Sequence, residues 1–475
     1  YKDHMSHIKI ANHYIHIPYL VLGLIEVVVL LASVFAASYV VFGPPITIEF
    51  YWGSELFKRA SVFALVLTAS TMALGVYQSK AREGFTGMAI RTLAAYCLLG
   101  GGGLTLLFYL FPQTYLGKSV LATSIMVALV ATLTVRLVFY ALVDTESLRR
   151  RIVIYGTGPR AAELLAKIES ESDNLGLQVI GCIDAGEPEC AVDQSRVIAK
   201  IDDWLGFVGR EAVSEIVIAL TERRRGRGAV FPMDDLVDCK MVGVRVIETI
   251  NFYERELGVI ELEHLNQGWM LFSDGFRYSQ SRDVIKRGFD IVASLCLLAI
   301  IWPFVVLTAL AVVLETGRPA LYSQIRTGLN GKTFRVYKFR SMVTDAEKDG
   351  KAVWATKNDA RVTRVGAVIR NTRLDELPQL YNVIRGDMSF VGPRPERPEF
   401  VQDLAEQIPF FEQRHRVKPG LMGWAQLKYP YGASVKDAEN KLRYDLYYVK
   451  NHSILLDFLI LVQTVEVVLL GKGVH

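Results

Sequence analysis

The sequence predicts a membrane domain of four helices followed by two α/β domains. Apolar residues make up 51% of the chain, a high share for a water-soluble protein, and they are concentrated in the first 145 residues. Strand-like and helix-like segments then alternate, which is typical of a parallel sheet covered by helices. The rest of the chain carries a dense set of charged motifs. We therefore predict an N-terminal segment at residues 1–16 and the membrane domain at 17–145. The first α/β domain follows at 146–264, a linker at 265–281 and the second α/β domain at 282–475.

Four N-terminal segments are long and apolar enough to cross a bilayer, which takes about 20 helical residues. They are Ile17–Gly43, Ala60–Gln78, Met88–Phe111 and Ser119–Leu142. The residues Tyr1 to His4 resemble the remnant of an epitope tag and are left out of the fold prediction. The first apolar segment is too long for a cleavable signal peptide and lacks a small-residue cleavage site, so none is expected.

Charged residues predict how these segments pack and which way they face. Glu26, Arg91 and Arg136 lie inside the spans or near their ends. An ion pair between helices, or a side chain that snorkels to the interface, is a commoner explanation for them than a transport path. Basic residues favour the cytoplasmic side, and they occur between the second and third spans and after the fourth. Both α/β domains are therefore predicted to be cytoplasmic, on the basis of Lys80, Arg82 and Arg149–Arg151. In this orientation Lys58, Arg59 and Lys118 would lie on the outer side of the membrane, which is a weaker signal against it.

Composition excludes several other classes of protein. The net charge of +4 gives little support for a nucleic-acid partner, and the local basic clusters are typical of sites for lipid head groups or phosphates. The cysteines form no Cys-x-x-Cys pair and have no histidine at metal-ligand spacing. Neither a disulfide framework nor a zinc site is expected from Cys97, Cys182, Cys190, Cys239 and Cys296.

Residues 146–264 predict a Rossmann-like domain with strands at Ile152–Tyr155, Leu177–Ile183, Glu215–Leu220 and Val244–Ile247. The turn Gly156-Thr157-Gly158 could place a phosphate on a helix N-terminus, and Asp184 could contact a ribose. However, Pro159 interrupts the turn, and Ala161 or Ala162 replaces the third glycine of the fingerprint. A regulatory or oligomerising module is the preferred interpretation, and nucleotide binding is the alternative.

The segment Ile291–Leu314 contains no charged residue and is long enough for a fifth span, but a re-entrant membrane helix is the preferred prediction. Basic residues precede and follow it, so both ends should be cytoplasmic. Pro303 lies near its middle and should kink the helix there. The apolar C-terminal segment Ile454–Leu470 contains Asp457, and it is expected to lie at the interface or to pack on the domain.

Groups suited to binding phosphate are dense between Lys338 and Pro395. They occur in Lys338–Met342, Arg364, Arg370, Arg373, Asp375–Gln379, Gly386–Ser389 and Gly392–Pro395. An isolated Asp-Glu pair usually stabilises a helix N-terminus, but the surrounding cations favour a chemical role here. The carboxylates of Asp375 and Glu376 could hold Mg²⁺ at a diphosphate, or one of them could attack phosphorus. Pro393 and Pro395 hold Arg394 in a stiff loop, which suits phosphate binding.

These strings resemble the bacterial sugar transferase family of polyprenyl-phosphate phosphoglycosyl transferases, the monotopic superfamily. The likeness extends, in the same order, to Lys286–Asp290, Gln324-x-Arg326-x-Gly328, Lys418–Gln426 and Tyr444–Val449. The N-terminal spans and the Rossmann-like domain further resemble the large members, such as the undecaprenyl-phosphate galactose- or glucose-phosphotransferases. The resemblance implies an α/β catalytic domain with a re-entrant membrane helix.

The resemblance also implies the activity. A hexose-1-phosphate would pass from a UDP-sugar to polyprenyl phosphate at the bacterial inner membrane, with Mg²⁺, as the first membrane step of exopolysaccharide, capsule or O-antigen synthesis. Asp375 would attack the β-phosphate, release UMP and form a phosphosugar-aspartyl intermediate for the lipid phosphate to attack. Glu376 would complete the dyad by assisting the metal or proton transfer, and the two carboxylates are the expected metal ligands. The implied substrate-binding residues are Lys338, Arg340, Arg370, Arg394 and Asp445.

Some residues depart from the family pattern, and others allow more than one interpretation. Arg373 stands where many family members have serine, and Trp302-Pro303 replaces the serine-proline break of the smallest members. His415 is expected at the surface rather than as a base, and Trp424 is either a platform for uracil or a core residue. A non-catalytic assembly factor is the main alternative, and an anchored oxidoreductase or epimerase lacks its fingerprints. The sugar is not specified, and a homodimer through the middle domain is expected.

Overall fold

The computed structural model describes residues 7–10, 13–43, 55–74, 88–143, 150–175, 177–220, 231–263, 265, 276, 279–343, 361–429, 432 and 434–470. Contacts divide the chain into two compact units, with the main boundary between Leu257 and Gly258. Several residues used in the predictions lie outside the described ranges. They are Tyr1–His4, Gln78, Lys80, Arg82 and Arg149.

Within the described residues of the first unit, four helices are long and apolar enough to cross a membrane: α1 (Ile17–Phe42), α2 (Glu55–Ala73), α3 (Met88–Leu110) and α4 (Lys118–Val143). Two short strands, β1 (His7–Ile10) and β2 (His13–His16), precede them. The predicted start of the second segment is wrong, because α2 already begins at Glu55, whose carboxylate accepts from Lys58 Nζ one turn later at 3.0 Å. These apolar helices make the chain a membrane protein.

A buried ion pair joins α1 to α4. Arg136 Nε donates to Glu26 Oε1 at 2.5 Å, and Arg136 Nη2 donates to Glu26 Oε2 at 2.7 Å. Arg136 Nη1 donates to Thr92 Oγ1 of α3 at 2.5 Å, and the side chains of the pair are 1–2% exposed. The predicted ion pair between helices is therefore confirmed for Glu26 and Arg136. Arg91 instead donates to the backbone oxygen of Leu74.

Glu26→Gln is expected to lower the free energy of unfolding by about 3–5 kcal/mol, because it removes the carboxylate charge that faces the buried Arg136 guanidinium. Thermal or denaturant unfolding in detergent measures the loss. Glu55→Gln is the matched control, since Glu55 and Lys58 form an exposed pair and its loss should change stability little. A Glu26→Gln variant as stable as this control would contradict the structural role of the pair.

The first α/β domain contains a five-stranded parallel sheet of strand order β5-β4-β3-β6-β7. The strands are β3 (Arg150–Tyr155), β4 (Leu177–Ile183), β5 (Val197–Ile198), β6 (Glu215–Ile218) and β7 (Arg245–Glu248). The helices are α5 (Pro159–Leu175), α6 (Trp204–Arg210), α7 (Met233–Met241) and α8 (Thr249–Leu257). The predicted parallel α/β sheet is confirmed, although the third strand ends at Ile218 and not at Leu220. Buried side chains such as Val153, Ile183 and Ile216 form its core.

The second unit begins with the long helix α9 (Gln280–Thr316), followed by an antiparallel hairpin of β8 (Leu321–Thr327) and β9 (Thr333–Phe339). The helices α10 (Arg364–Asn371) and α11 (Gln379–Arg385) come next. Strand β10 (Ser389–Val391) then pairs in parallel with β11 (Gly420–Met422) across α12 (Pro398–Gln407). The chain continues through α13 (Trp424–Lys428), α14 (Val435–Asn451) and α15 (Ile454–Leu470).

Both ends of α9 are bonded to this α/β domain. Near its N-terminus, Asp290 Oδ1 accepts from Ser389 Oγ and from the backbone N–H of Phe390, both at 2.9 Å. Near its C-terminus, the Glu315 carboxylate accepts from the first two backbone N–H groups of α10, at 2.9 and 3.0 Å. The helix continues through Pro303, and the apolar side chains around this proline are largely exposed.

Helix α15 packs on the domain. Leu456 and Ile460 are fully buried in its core. Asp457 is also buried, and its carboxylate accepts from Lys286 Nζ of α9 at 2.6 Å and from Tyr448 Oη of α14 at 2.7 Å. The segment was predicted either to lie at the membrane interface or to pack on the domain. The N-terminal part of α15 packs on the domain.

Candidate active site

Asp375 and Glu376 lie in a single 3₁₀ turn, Leu374–Glu376, between α10 and α11. Arg373, immediately before the turn, has a left-handed backbone with φ of 60°. A non-glycine residue in this region costs of order 1 kcal/mol, which is typical of functional sites. Pro378 follows with φ of −61°, a value suited to the start of a helix. The sharp turn buries both carboxyl groups, at 9% and 8% exposure.

Three cations from different elements surround Glu376. Its Oε1 accepts from Lys338 Nζ of β9 at 3.2 Å and from Arg394 Nη2 of the loop after β10 at 2.7 Å. Arg373 Nη1 lies 3.9 Å from the same oxygen. Asp375, in contrast, accepts no hydrogen bond from any residue in the described ranges. One carboxylate is thus fixed by cations, and its neighbour remains available for chemistry.

The surroundings push the pKa values of the two carboxyl groups apart. Burial and the negative charge of Glu376 raise the pKa of Asp375. Burial alone would also raise the pKa of Glu376, but the charges of Arg394, Lys338 and Arg373 hold it well below its usual range. Burial lowers the pKa of Lys338, although the charge of Glu376 opposes this. Such a separation is typical of carboxylate pairs with different roles, with Asp375 the more basic of the two.

Comparisons with known proteins identify the family of the chain. A model of the family described as bacterial sugar transferase matches residues 281–471, and a model described as a CoA-binding domain matches residues 72–227. A UDP-glucose:undecaprenyl-phosphate glucose-1-phosphate transferase from Klebsiella pneumoniae is 41% identical over 331 residues, which are 69% of each chain. The chain belongs to the bacterial sugar transferase family.

Two other relatives are aligned over a smaller share of their length. A UDP-N-acetylgalactosamine-undecaprenyl-phosphate N-acetylgalactosaminephosphotransferase from Aeromonas hydrophila is 40% identical over 241 residues, half of this chain and 55% of the relative. An undecaprenyl-phosphate glucose phosphotransferase from Komagataeibacter xylinus is 32% identical over 338 residues, 68% of this chain and 59% of the relative. The chain thus spans little more than half the length of these two proteins.

The other expected site residues, Arg340, Arg370 and Asp445, do not pair with Asp375 or Glu376 in the described part of the chain. Arg340 is half-buried, and its Nη1 is buried without a hydrogen-bond partner among the described residues. Arg370 lies on α10 and is half-buried. Asp445 of α14 is buried and pairs with Arg414 at 2.8 Å. Burial raises the pKa of Asp445 to about 6, against the opposing charge of Arg414.

The structure shows the surroundings of Trp424 and His415, for each of which the sequence allowed two interpretations. Trp424 is buried, stacks on Tyr447 with ring centroids 6.0 Å apart, and donates through Nε1–H to the backbone oxygen of Gly258 at 2.9 Å. It is therefore a core residue and not a platform for uracil. His415 is half-buried rather than at the surface, and burial together with the charge of Arg414 lowers its pKa to about 4.

The dyad offers ligands for a divalent cation. Both oxygens of Asp375, and Oε2 of Glu376, accept no hydrogen bond from the residues that the structure describes. Mg²⁺ is commonly held by one or two carboxylates together with substrate phosphates, so this donor set fits the ion when a diphosphate completes it. Among the described residues, no group of three or more His, Cys, Asp or Glu side chains could hold a metal ion without substrate.

The glycine turn of the first α/β domain is occupied by the protein's own side chain. The backbone N–H groups of Thr157 and Gly158 donate to Glu187 Oε2 at 2.8 and 2.7 Å. The N–H of Ala191 donates to the backbone oxygen of Thr157 at 2.8 Å, which draws the same loop over the turn. Asp184, which would contact a ribose if the domain bound a nucleotide, accepts from the N–H of Gly186 and shapes that loop. A carboxylate therefore lies where the alternative interpretation, nucleotide binding, would place a phosphate.

Proposed function

We propose that the chain transfers a hexose-1-phosphate from a UDP-sugar to undecaprenyl phosphate, giving undecaprenyl-diphosphate-sugar and UMP. The observation that carries the proposal is the buried Asp375, free of hydrogen bonds from the described residues, beside a Glu376 held by Lys338 and Arg394. The three relatives described above are all named as undecaprenyl-phosphate sugar phosphotransferases. Their names differ between glucose and N-acetylgalactosamine, so the sugar is left open.

The reaction consists of two displacements at one phosphorus atom. A carboxylate oxygen of Asp375 attacks the β-phosphorus of the UDP-sugar, and the bond from this phosphorus to the bridging oxygen breaks. UMP leaves with that oxygen and its electron pair, and the sugar phosphate is bound to Asp375. A phosphate oxygen of undecaprenyl phosphate then attacks the same phosphorus, the bond to Asp375 breaks, and the free carboxylate returns.

The residues around Asp375 offset the repulsion between an anionic nucleophile and an anionic diphosphate. Lys338 and Arg394 supply positive charge at the dyad, and Glu376 holds both cations in place. Asp375 and Glu376 are the residues that would hold Mg²⁺. When bound, the ion would neutralise charge on the diphosphate oxygens.

The test is UMP release by the purified protein with undecaprenyl phosphate, Mg²⁺ and, in turn, UDP-glucose, UDP-galactose and UDP-N-acetylgalactosamine. Release with one of these donors supports the activity and identifies the sugar. Absence of release with every donor would reject the activity and favour a non-catalytic assembly factor. Donor without lipid should give at most one UMP per enzyme, and no UMP at all would reject the two-step sequence.

We further propose that α9 is a re-entrant helix and that both α/β domains lie on the cytoplasmic side of the inner membrane. Asp290 and Glu315, on either side of the apolar segment, contact the same folded domain, so a simple crossing would pull this domain to both faces of the membrane. Pro303 supplies a place for the bend. Single cysteines at Ser279 and Gly317, in a background without native cysteines, should both react with an impermeant reagent only from the cytoplasmic side. Reaction from opposite sides would reject the re-entrant arrangement.

We propose that the product of the transfer is the first lipid-linked sugar of exopolysaccharide, capsule or O-antigen synthesis. For the first α/β domain we propose a packing or oligomerising role in a homodimer. A CoA-binding role does not fit the glycine turn, because Glu187 occupies the N–H groups that a phosphate would need. A Cβ added to Gly158 would also lie 2.7 Å from the Glu187 carboxylate, so this side chain is packed against the turn. A monomeric mass in lipid particles would reject the dimer.

CoA is accordingly expected to leave the melting temperature of the wild-type protein unchanged. A ligand at 100 times its Kd would stabilise the folded state by about 2.7 kcal/mol, which thermal unfolding detects readily. Glu187→Ala should lower the melting temperature, because it leaves two buried N–H donors without their acceptor. A CoA-dependent rise in the melting temperature of the wild type would contradict this assignment.

A further inference from the structure

The loop that carries Arg394 is held through its backbone oxygens. Pro393 and Pro395 have no N–H group, so the loop has few donors of its own. Its three consecutive carbonyls each accept a hydrogen bond from a different element. The donors are the Gly420 N–H of β11 at 2.9 Å for Pro393, Arg414 Nη2 at 2.9 Å for Arg394, and Arg326 Nη1 at 3.2 Å for Pro395.

The donor at Arg394 itself is a buried side chain. Arg414 lies in the 3₁₀ turn Phe411–Arg416 and is 6% exposed. The same Nη2 atom that donates to the Arg394 oxygen lies 2.8 Å from Asp445 Oδ2, and the guanidinium lies over the Phe411 ring at 5.1 Å. Asp445 is buried on α14, one of the longer helices of the domain. A rigid helix therefore fixes the carboxylate that orients Arg414.

The geometry assigns to Arg414 the role of a positioning residue for Arg394, with Asp445 orienting Arg414 in turn. Arg394 Nη2 must stay 2.7 Å from Glu376 Oε1 while its side chain, 32% exposed, remains accessible to substrate. Movement of the Arg394 carbonyl moves its Cα and hence the guanidinium, and a displacement of about 1 Å in a catalytic site can cost about 10²-fold in rate. Arg414 thus acts on the dyad from a distance, without touching the carboxylates.

This inference rests on the proposed transferase activity, and a double-mutant cycle on kcat/KM for the UDP-sugar tests it. Arg414→Met should lower kcat/KM by about 10- to 100-fold through loss of positioning, and Arg394→Met by more, since Arg394 contacts the dyad directly. The double variant should be no slower than Arg394→Met alone, because Arg414 then has nothing to position. Effects that multiply in the double variant would overturn the inference.

Three further variants keep the test decisive. Arg414→Lys should recover much of the activity, because one Nζ can donate to both the Asp445 carboxylate and the Arg394 oxygen. Arg416→Met removes an exposed arginine two residues away and should leave kcat/KM within about twofold of the wild type. If Arg414→Met does not fold, Asp445→Asn takes its place in the cycle with the same expected pattern. Wild-type protein without UMP release would reject the proposed activity, whereas active protein with multiplying effects would reject the positioning role alone.

Discussion

Asp375→Asn is expected to reduce UMP release at saturating UDP-sugar by at least about 10⁴-fold while the protein remains folded. The large loss follows from the proposed mechanism, in which Asp375 is the nucleophile of the first displacement and no neighbouring group substitutes for it. Stability should be unchanged or higher. The folded-state pKa of Asp375 is raised, so its ionised form opposes folding above the ordinary carboxyl pKa, and a neutral amide removes this penalty.

The matched control for this prediction is Asp403→Asn, which neutralises an exposed aspartate on α12 and should retain wild-type rates. A donor with a labelled sugar phosphate should label the wild-type protein covalently in the absence of lipid, and it should leave Asp375→Asn unlabelled. An Asp375→Asn variant within about tenfold of the wild-type rate would show that another group attacks phosphorus. Labelling of that variant would indicate Glu376 as the nucleophile.

Local sequence patterns were sufficient to predict the long elements of the fold. The helices α1, α3 and α4 coincide closely with the predicted apolar segments, because length and mean hydropathy define a helix that can cross a bilayer even when it contains a single charged residue. Four of the five strands described in the parallel sheet were predicted from short apolar segments between turn residues. The short edge strand β5 was missed, because two residues are too few to give an apolar pattern. The start of α2 was missed, since the charged residues Glu55 and Lys58 stabilise its first turn through a side-chain contact that hydropathy does not record.

The candidate site could be predicted in part. Lys338, Asp375, Glu376 and Arg394 meet in the structure, and their strings are dense in the sequence. Proximity in sequence gives the residue types but not the direction of each side chain. Asp445 points to Arg414 rather than to the dyad, because α14 presents it to the turn behind the Arg394 loop.

Long-range contacts explain the other differences. The glycine turn near Gly158 carries the local signal for a phosphate, but Glu187, 29 residues later, fills it. Arg414 gave no signal in the sequence beyond its place beside His415, and its bond to the Arg394 oxygen spans 20 residues. Interactions of this kind depend on how the elements pack, and a motif of a few residues contains no information about its distant neighbours.

Glu376→Gln is expected to shift the acidic limb of the pH profile of kcat/KM to lower pH and to lower the plateau by about 10²-fold. In the wild type, the negative charge of Glu376 helps to raise the pKa of Asp375, whereas the charges of Lys338 and Arg394 lower it. Removal of the Glu376 charge leaves only the effect of the two cations, so the pKa of Asp375 falls. The attacking form is the carboxylate, which exists above the pKa, and the limb therefore moves down with it. The plateau falls because a less basic carboxylate is a weaker nucleophile and both cations lose their anchor.

Rates measured between about pH 4 and about pH 8 separate this explanation from its alternatives. The pKa of Glu376 lies well below its usual range, so Glu376 stays ionised throughout the interval and cannot itself produce the limb in the wild type. Arg394→Met should move the limb in the opposite direction, because it removes a charge that lowers the pKa of Asp375. A limb that stays in place in Glu376→Gln would mean that Asp375 is not the group that titrates. If the acidic limb shifts to lower pH in Glu376→Gln and to higher pH in Arg394→Met, Asp375 is the titrating nucleophile. Its pKa is then raised by the charge of Glu376 and lowered by the surrounding cations.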